Sequence, residues 1–226
     1  YFTAQEHPTI RDAAVAGNMK LLSICITVFN RSKVKISDGH CLELFPNCLK
    51  SVAKAVEKMD NVEVVISDFN SDDWSLDEWV GDVLGNIPYR IVKSKARFHS
   101  GLGRNIAAEN AKGDYLLFLD AEMIVTSALI QNGICHLQAG NTYFPICFYY
   151  VDVKHSRGFW CDGGKGVCFM TKSTFINAGK WPCPPTYKLG YNVDQAFFKK
   201  VASQTNQIVN KREEGYCHQY HPGRSV

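Results

Sequence analysis

Apolar and polar positions fall into short alternating blocks along the first half of this 226-residue chain. Four apolar runs predict strands, at residues 21–29, 61–67, 89–92 and 115–119, and the first two are rich in β-branched residues. Apolar residues at helical spacing predict two helices, over about residues 46–59 and 101–111. The resulting order is strand, helix, strand, strand, helix, strand. We therefore predict an α/β fold, with a mostly parallel sheet flanked by helices.

The second half of the chain is less regular. Residues 142–153 and 166–170 have strand-like composition, and residues 193–201 predict a helix with Phe197 and Phe198 facing the core.

The two ends of the chain are polar. Residues 1–19 are mixed in character and predict an arm or a short helix, and residues 210–214 carry charges of both signs, which is typical of a solvated stretch. No repeat or low-complexity linker divides the chain, and its length suits one substantial core. We therefore predict a single domain over residues 1–226.

Composition narrows the function classes. The chain is 46% hydrophobic and 21% charged, as in ordinary globular proteins, and its net charge of +3 includes no Lys/Arg block of the kind that binds nucleic acid. No apolar run is long enough to predict a membrane segment in this chain. Nine cysteines without a CxxC pair favour free thiols in a reducing compartment. A disulfide among the later cysteines stays open. We expect a cytoplasmic location or the cytoplasmic face of a membrane, or the Golgi lumen if the chain is part of an anchored protein.

The candidate chemistry begins where the fourth apolar run ends, in Asp120-Ala121-Glu122. Two carboxylates one residue apart at the carboxyl end of a strand suit a divalent cation that holds a phosphate-bearing ligand. The alternative is a strand that ends in a solvated acidic turn.

Three segments resemble family 2-type glycosyltransferases with the GT-A fold. Residues 23–31 resemble the first strand and turn of that family, residues 64–72 resemble its second-strand acidic motif, and residues 101–120 resemble the segment that runs from the Arg-Asn helix into the DxD motif. The landmarks follow the family's order over residues 21–125. The resemblance implies a nucleotide-sugar-binding half over 21–125 and an acceptor and catalytic half over 126–226.

The resemblance also implies a metal site. Glu122 takes the place of the final DxD aspartate, which is the usual metal ligand, and Asp120 takes the place of the first, which meets the ribose or the metal's shell. His218, or alternatively His221, lies where such families place a late histidine that completes the site. The cofactor expected there is Mn²⁺ or Mg²⁺.

The residues that the resemblance assigns to the nucleotide-sugar donor share one edge of the predicted sheet. They are Thr27, Phe29, Arg31, Asp68 and Arg104. An arginine that opens a helix after two glycines suits an anion. Without the resemblance, Arg104 is equally a surface helix residue, and Asp68 is ordinary turn chemistry.

Two later segments resemble galactosyl- and N-acetylgalactosaminyl-transferases. Residues 162–172 are similar to their Gly-rich strand, which implies that Gly163 and Gly164 approach the donor sugar. Residues 190–197 match the position of an acidic pair that opens a helix, and here Val193 replaces its first member. Asp194 is then the expected catalytic base. The alternative for Asp194 is an aspartate favoured by the helix dipole.

The sequence thus predicts a metal-dependent, inverting hexosyltransferase. It would transfer from a nucleotide-sugar, most simply a UDP-sugar, to a glycan or other hydroxyl acceptor. One alternative is a sugar-phosphate nucleotidyltransferase, but the turn at 27–31 lacks the glycines of that phosphate loop. Another is a catalytically silent module that binds nucleotide-sugars or glycans.

Overall fold

The computed structural model describes residues 20–36, 39–184, 192–205 and 207–222. The arm predicted over residues 1–19 lies outside the described residues. Gly190 and Tyr191, which precede the expected catalytic helix, also lie outside them.

The elements below are those of the described ranges. The strands are β1 (Leu22–Val28), β2 (Val34–Lys35), β3 (Cys41–Leu42), β4 (Val62–Asp68), β5 (Tyr89–Lys93), β6 (Tyr115–Asp120), β7 (Met123–Ile124), β8 (Thr142–Tyr150), β9 (Gly158–Cys161), β10 (Cys168–Thr171) and β11 (Ile208–His218). The helices are α1 (Leu44–Ala55), α2 (Val80–Leu84), α3 (Ser100–Asn110), α4 (Ser127–Gln138), α5 (Lys172–Asn177) and α6 (Val193–Gln204), with a 3-10 turn at Leu76–Glu78.

One sheet runs through both halves of the chain in the order β5-β4-β1-β6-β10-β8-β11-β7, and β9 pairs with β8. The strands of the first half are parallel to one another: β4 and β6 flank β1, and β5 pairs with β4. Antiparallel β10 then joins β6 to the strands of the second half. The predicted α/β class, with a sheet flanked by helices, is confirmed.

Strand β1 is central because both of its faces are covered. Its residues alternate between two hydrophobic layers, so that Ile24 packs in the layer of Leu49 from α1 and Cys25 packs in the layer of Ala107 from α3. All seven residues of β1 are buried, which explains the continuous apolar run in the sequence. The carboxyl ends of β1, β4 and β6 therefore meet at one edge of the sheet, with helices above and below.

Helix α3 lies unusually close to this edge. A Cβ atom on Gly103 would lie 2.2 Å from Cγ2 of Thr27 at the end of β1, so the residue must be glycine for the helix to approach. The side chain of His99 caps the helix by accepting a hydrogen bond from the Leu102 backbone N–H. These contacts place the next residue, Arg104, over the strand ends.

The second half of the chain differs from the sequence-based prediction in its strand ends, in an additional helix and in the stretch 210–214. The strand predicted at 142–153 ends at Tyr150, because the Asp152 carboxylate accepts hydrogen bonds from the backbone N–H groups of Ser156 and Arg157 and so closes a hairpin turn into β9. The sequence analysis did not predict helix α4 (Ser127–Gln138).

The stretch 210–214 is not a solvated segment. It forms part of β11, which pairs in parallel with β8. Asn210, Lys211, Arg212 and Glu214 are exposed, but Glu213 is buried and accepts hydrogen bonds from Tyr143 and Asn132. Most side chains of this strand are charged and exposed to solvent, so its composition is that of a surface loop.

Helix α6 extends to Gln204, and Phe197 is fully buried as predicted, whereas Phe198 is partly buried beside Phe144. No helix in the described ranges has the length and apolar character needed to cross a bilayer.

Candidate functional site

A cleft of about 260 Å³ opens at the sheet edge where β1 and β6 end. It is lined by Thr27, Arg31, Phe98, Ser100, Arg104, Asp120, Ala121, Glu122 and Asp194. The sequence predicted six of these as site residues, and the fold brings them together from four separate segments. In an open α/β sheet, ligands bind outside the carboxyl ends of the strands, which is the position of this cleft.

Arg104 links two of the predicted carboxylates. Its Nη1 donates to Oδ1 of Asp194 at 2.6 Å and its Nη2 donates to Oδ1 of Asp120 at 2.7 Å. The guanidinium is 3% exposed and stacks on the Trp181 ring, 4.3 Å from its centroid. We call Arg104, Asp120 and Asp194 the arginine cluster. Both terminal nitrogens of Arg104 already hold carboxylates, so Arg104 is less available to a donor phosphate than the sequence predicted.

Gly166 makes the arginine cluster sterically possible. A Cβ atom at this position would lie 2.4 Å from Nη2 of Arg104 and 2.9 Å from Oδ2 of Asp194. Real Cβ atoms do not approach other heavy atoms so closely, and the ion pair would have to shift. Sequence reasoning missed Gly166, although it lies in the Gly-rich segment that was singled out.

The electrostatics of the arginine cluster are balanced between burial and pairing. Burial by itself would lower the pKa of Arg104, but the charges and hydrogen bonds of Asp120 and Asp194 outweigh that effect and raise the pKa above its usual value. The guanidinium therefore stays charged. Burial raises the pKa of Asp120, Arg104 opposes that change, and the nearby Asp194 and Glu122 charges add to it. Two carboxylates thus share one cation.

The other carboxylate of the acidic turn belongs to a second group of side chains. Glu122, His218 and His221 each offer one ligand atom, and these atoms lie within 4.8 Å of one another. We call these three residues the histidine cluster. Nε of Arg31 lies 3.9 Å from Oε1 of Glu122 and adds a positive charge at its border. The sequence left open whether His218 or His221 joins Glu122, and the fold brings both of them to it.

Strand pairing assembles the histidine cluster. The short strand β7 follows the acidic turn directly and pairs with the end of β11, so that Met123 lies opposite His218. Gln219 then fastens the turn: its backbone N–H and its side-chain Nε2 both donate to the Glu122 carbonyl, at 3.0 and 3.1 Å. Gln219 is 3% exposed. No motif in the sequence pointed to it.

The histidine cluster has the chemistry of a cation site. A carbonyl oxygen only accepts, so the 2.9 Å contact to Pro222 places a proton of His221 on Nδ1 and turns Nε2 towards Glu122. That Nε2 lies 3.4 Å from Oε1 of Glu122. Nδ1 of His218 and Nε2 of His221 are buried and lack hydrogen bonds among the described residues. One carboxylate and two imidazoles fit Mn²⁺ or a similar ion.

The pKa values of the histidine cluster follow from its burial. Burial alone would raise the pKa of Glu122, but the approach of His221 and the charges of Arg31 and His218 outweigh it and lower that pKa to about 2. Burial lowers the pKa of His218 to about 4, against the attraction of Glu122. A neutral imidazole beside an ionised carboxylate is the protonation state that a metal ligand set needs.

Of the other predicted donor residues, Thr27 lines the cleft, and Phe29 packs against the lining residue Phe98. Thr27 accepts a hydrogen bond from Ser67, and Phe29 stacks on Phe98 with ring centroids 5.6 Å apart. Asp68 is buried, and its Oδ1 accepts from the backbone N–H of Ser71 at 3.0 Å. This hydrogen bond is the ordinary turn chemistry that the sequence analysis gave as the alternative for Asp68. Asp68 does not line the cleft.

Gly163 and Gly164 lie outside the cleft. Both are exposed, and the Gly163 carbonyl accepts a hydrogen bond from Gln195 of α6. The fold therefore brings Gly166 to the charged groups and leaves the two predicted glycines at the surface.

Comparisons with known proteins give the family context. The sequence profile described as Glycosyl transferase family 2 matches residues 23–186. Chondroitin sulfate synthase 3 of Mus musculus is 28% identical over 153 residues, which cover 58% of this chain and 17% of that protein. The Escherichia coli UDP-Glc:alpha-D-GlcNAc-diphosphoundecaprenol beta-1,3-glucosyltransferase WfaP is 28% identical over 137 residues, which cover 59% of this chain and 48% of that protein. The chain thus spans less than half the length of these relatives.

Solved structures share the fold at low identity. TarS of S. aureus, in complex with UDP-GlcNAc, superposes with a TM-score of 0.71 and 16% identity, over 90% of this chain and 60% of that one. The mannosyltransferase PcManGT of Pyrobaculum calidifontis, in complex with GDP-Man and Mn²⁺, superposes with a TM-score of 0.67 and 12% identity, over 89% of this chain and 57% of that one. These likenesses confirm the predicted GT-A fold.

Proposed function

The chain belongs to glycosyl transferase family 2 and is a glycosyltransferase, and we propose that it is a metal-dependent, inverting hexosyltransferase that uses a UDP-sugar. The observation that carries this proposal is the single turn from Asp120 to Glu122, which supplies one carboxylate to the arginine cluster and one to the histidine cluster. A diphosphate-sugar bound in the cleft then lies between a base and a cation site.

The histidine cluster would hold the divalent ion, through Glu122, His218 and His221. The ion supplies Lewis-acid neutralisation of the diphosphate. The protein's own contribution is to orient these three side chains, since Gln219 holds the Glu122 backbone and Pro222 holds the His221 ring. Arg31, at 3.9 Å from Glu122, adds a second positive charge for the leaving group.

Asp194 is the proposed base. Arg104 holds its Oδ1, which leaves Oδ2 to accept the proton of the acceptor hydroxyl. As the proton moves to Asp194, the hydroxyl oxygen forms a bond to the anomeric carbon and the bond from that carbon to the diphosphate oxygen breaks. Attack opposite the leaving group inverts the configuration.

The remaining donor contacts follow from the shape of the cleft. Thr27 and Phe98 line the cleft and Phe29 stacks on Phe98, and we assign these three side chains to the nucleobase of the donor. The division into a donor half over 21–125 and an acceptor half over 126–226 is kept as part of this proposal. The choice of a UDP-sugar is supported by the UDP-GlcNAc bound to TarS and by UDP-Glc as the donor of WfaP. The acceptor is proposed to be a hydroxyl of a glycan or glycoconjugate.

All nine cysteines are free in the structure. Free thiols are compatible with a reducing compartment, and the proposed site of action is the cytoplasm or the cytoplasmic face of a membrane, or the Golgi lumen if the chain is part of an anchored protein.

Donor hydrolysis is the direct test. The chain is incubated with Mn²⁺ and a panel of UDP- and GDP-sugars, and released nucleotide is measured with and without EDTA. We expect slow, metal-dependent release of UDP. Binding of a UDP-sugar without release from any donor would instead identify a silent binding module, and release of GDP alone would correct the donor.

A further inference from the structure

Helix α1 contacts the chain on both sides of Glu122. The Cys48 thiol donates a weak hydrogen bond to the Asp120 carbonyl oxygen at 3.8 Å, and the Ser51 hydroxyl accepts a hydrogen bond from the Val125 backbone N–H at 3.1 Å. Cys48 and Ser51 are three positions apart, which places them on one face of the helix. None of the described residues that line the cleft comes from α1, so the helix acts on the site only through these neighbours.

The contact from α1 to Glu122 itself passes through Gln219. This residue lies between His218 and His221 in the chain. Its Nε2 donates to the Leu44 carbonyl, at the start of α1, at 2.9 Å and to the Glu122 carbonyl at 3.1 Å. Its backbone N–H donates to the same Glu122 carbonyl at 3.0 Å. One residue between the two histidines thus holds the backbone of the third ligand candidate.

Asn47 of α1 determines which way the Gln219 amide points. The exposed Asn47 side chain donates from Nδ2 to Oε1 of Gln219 at 3.2 Å. Carbonyl oxygens only accept, so the amide nitrogen of Gln219 must face Leu44 and Glu122 and its oxygen must face Asn47. Gln219 is 3% exposed, so water has little access to replace these partners. Turning the amide over would bring its oxygen against two carbonyl oxygens and leave both without a donor.

We propose that Gln219 is a positioning residue of the cation site and that Asn47 acts on the site through it. Helix α1 then determines where the Glu122 carboxylate stands relative to the two histidines. This inference rests on the proposed function, in which Glu122, His218 and His221 hold a divalent ion. Gln219 and Asn47 are not part of that ligand set. Residues that orient metal ligands raise the affinity for the ion, because the ligands then lose less freedom when it binds.

A positioning role separates metal affinity from stability. Asn47 lies at an exposed position of α1, where alanine has a higher helix propensity than asparagine. The loss of its one hydrogen bond to Gln219 is therefore partly offset in the folded chain. We expect Asn47→Ala to leave the thermal midpoint in EDTA nearly unchanged. We expect it to weaken Mn²⁺ binding about three- to tenfold, which is the fold-change that corresponds to one ordinary hydrogen bond.

The test is a double-mutant cycle. Mn²⁺ is titrated calorimetrically into the unmodified chain, Asn47→Ala, Gln219→Met and the double variant, and the thermal midpoint of each is measured in EDTA. Methionine keeps the length of glutamine and removes the amide, so we expect Mn²⁺ affinity to fall about 10- to 100-fold. The double variant should bind Mn²⁺ no more weakly than Gln219→Met, because Asn47 acts only through Gln219. The Mn²⁺ concentration that gives half-maximal donor hydrolysis should rise by the same factors.

Lys54→Ala is the matched control, because Lys54 is also exposed on α1, two turns after Asn47. It should keep the Mn²⁺ affinity of the unmodified chain, and an equal loss in this variant would overturn the inference. Unchanged Mn²⁺ affinity in Asn47→Ala, which alters no buried side chain, would overturn it too, as would additive losses in the double variant. An unmodified chain that binds no Mn²⁺ would overturn the proposed metal dependence, and this inference with it.

Discussion

The arginine cluster and the histidine cluster grow from the same three-residue turn but differ in how their charges are satisfied. In the arginine cluster, Asp120 and Asp194 already share a buried guanidinium at 2.7 and 2.6 Å. In the histidine cluster, Glu122 faces imidazole nitrogens that have no hydrogen-bond partner among the described residues. The first cluster contains its own cation, Arg104, whereas the second offers one carboxylate and two imidazoles as ligands for a cation.

This difference separates the roles of two neighbouring carboxylates. A carboxylate that is already paired with a buried guanidinium keeps a fixed position and resists exchange of its partner, which suits an orienting role. A carboxylate grouped with imidazole nitrogens that lack hydrogen-bond partners has the ligand set of a metal cofactor. The Asp120-Ala121-Glu122 turn is therefore not a pair of equivalent ligands.

The largest expected effect separates the two clusters by function. We expect Asp194→Asn to lower the turnover of transfer by at least about 10³-fold, because Asp194 is the carboxylate assigned to take the acceptor proton and an amide cannot take it. Mn²⁺ affinity should stay unchanged. Glu122→Ala should lower both turnover, by on the order of 10²-fold or more, and Mn²⁺ affinity. Steady-state transfer assays and calorimetric titration of Mn²⁺ measure the two quantities.

The comparison would break if Asp194→Asn lost Mn²⁺ binding together with transfer, since Asp194 would then have a structural role shared by both clusters. Circular dichroism of both variants controls for unfolding. Wild-type transfer and metal dependence in Glu122→Ala would show that the ion binds elsewhere.

A second effect concerns stability against pH in metal-free buffer. The pKa of His218 is about 4 in the folded chain and near 6.5 in the unfolded chain, so the unfolded chain binds the proton first as pH falls. The free energy of unfolding should therefore decrease by about 3 kcal/mol between pH 6.5 and pH 4. The contribution of Glu122, whose pKa is about 2, is lost only below pH 4.5.

Urea unfolding at a series of pH values measures this decrease, with EDTA present. His218→Gln removes the titrating group and should flatten the curve between pH 6.5 and pH 4. An equally steep curve in that variant would assign the decrease to another group and remove the evidence that the histidine cluster is held neutral.

The smallest expected effect tests the packing of the arginine cluster. Gly166→Ala puts a methyl group 2.4 Å from Nη2 of Arg104, and overpacking of this kind costs about 1–3 kcal/mol. We expect a lower thermal midpoint and reduced transfer, with Mn²⁺ affinity unchanged. Gly163→Ala is the matched control, because nothing lies within 4 Å of a Cβ atom there. Equal midpoints for the two variants would contradict a constrained cluster.

The sequence predicted the parallel strands of the first half well because their signals are local. Strands β1, β4 and β6 are buried apolar runs, and buried parallel strands produce that pattern whatever their partners are. The short strands β2 and β3, which pair with each other in a separate sheet, were not predicted. The glycines before Arg104 and the acidic turn after β6 lie within a few residues of the elements they serve. For these residues, spacing along the chain is close to placement in space.

The rest could not be predicted, because it depends on contacts distant in sequence. β11 carries Lys211, Arg212 and Glu214 on its exposed side and has no apolar run, so its pairing with β8 and β7 is invisible in composition. Gly163 and Gly166 are three residues apart in one Gly-rich segment, and only the position of Arg104 decides which of them matters.

The pairing of β7 with β11 makes the cation site a reporter of complete folding. Glu122 and Gln219 are 97 positions apart, and the three ligand candidates meet only after the intervening strands have taken their places in the sheet. An ion that binds only the folded chain raises the free energy of unfolding. The increase grows with the logarithm of the ratio of ion concentration to dissociation constant. Manganese supply would then set how much of the chain survives thermal stress and proteolysis, as well as how fast it works.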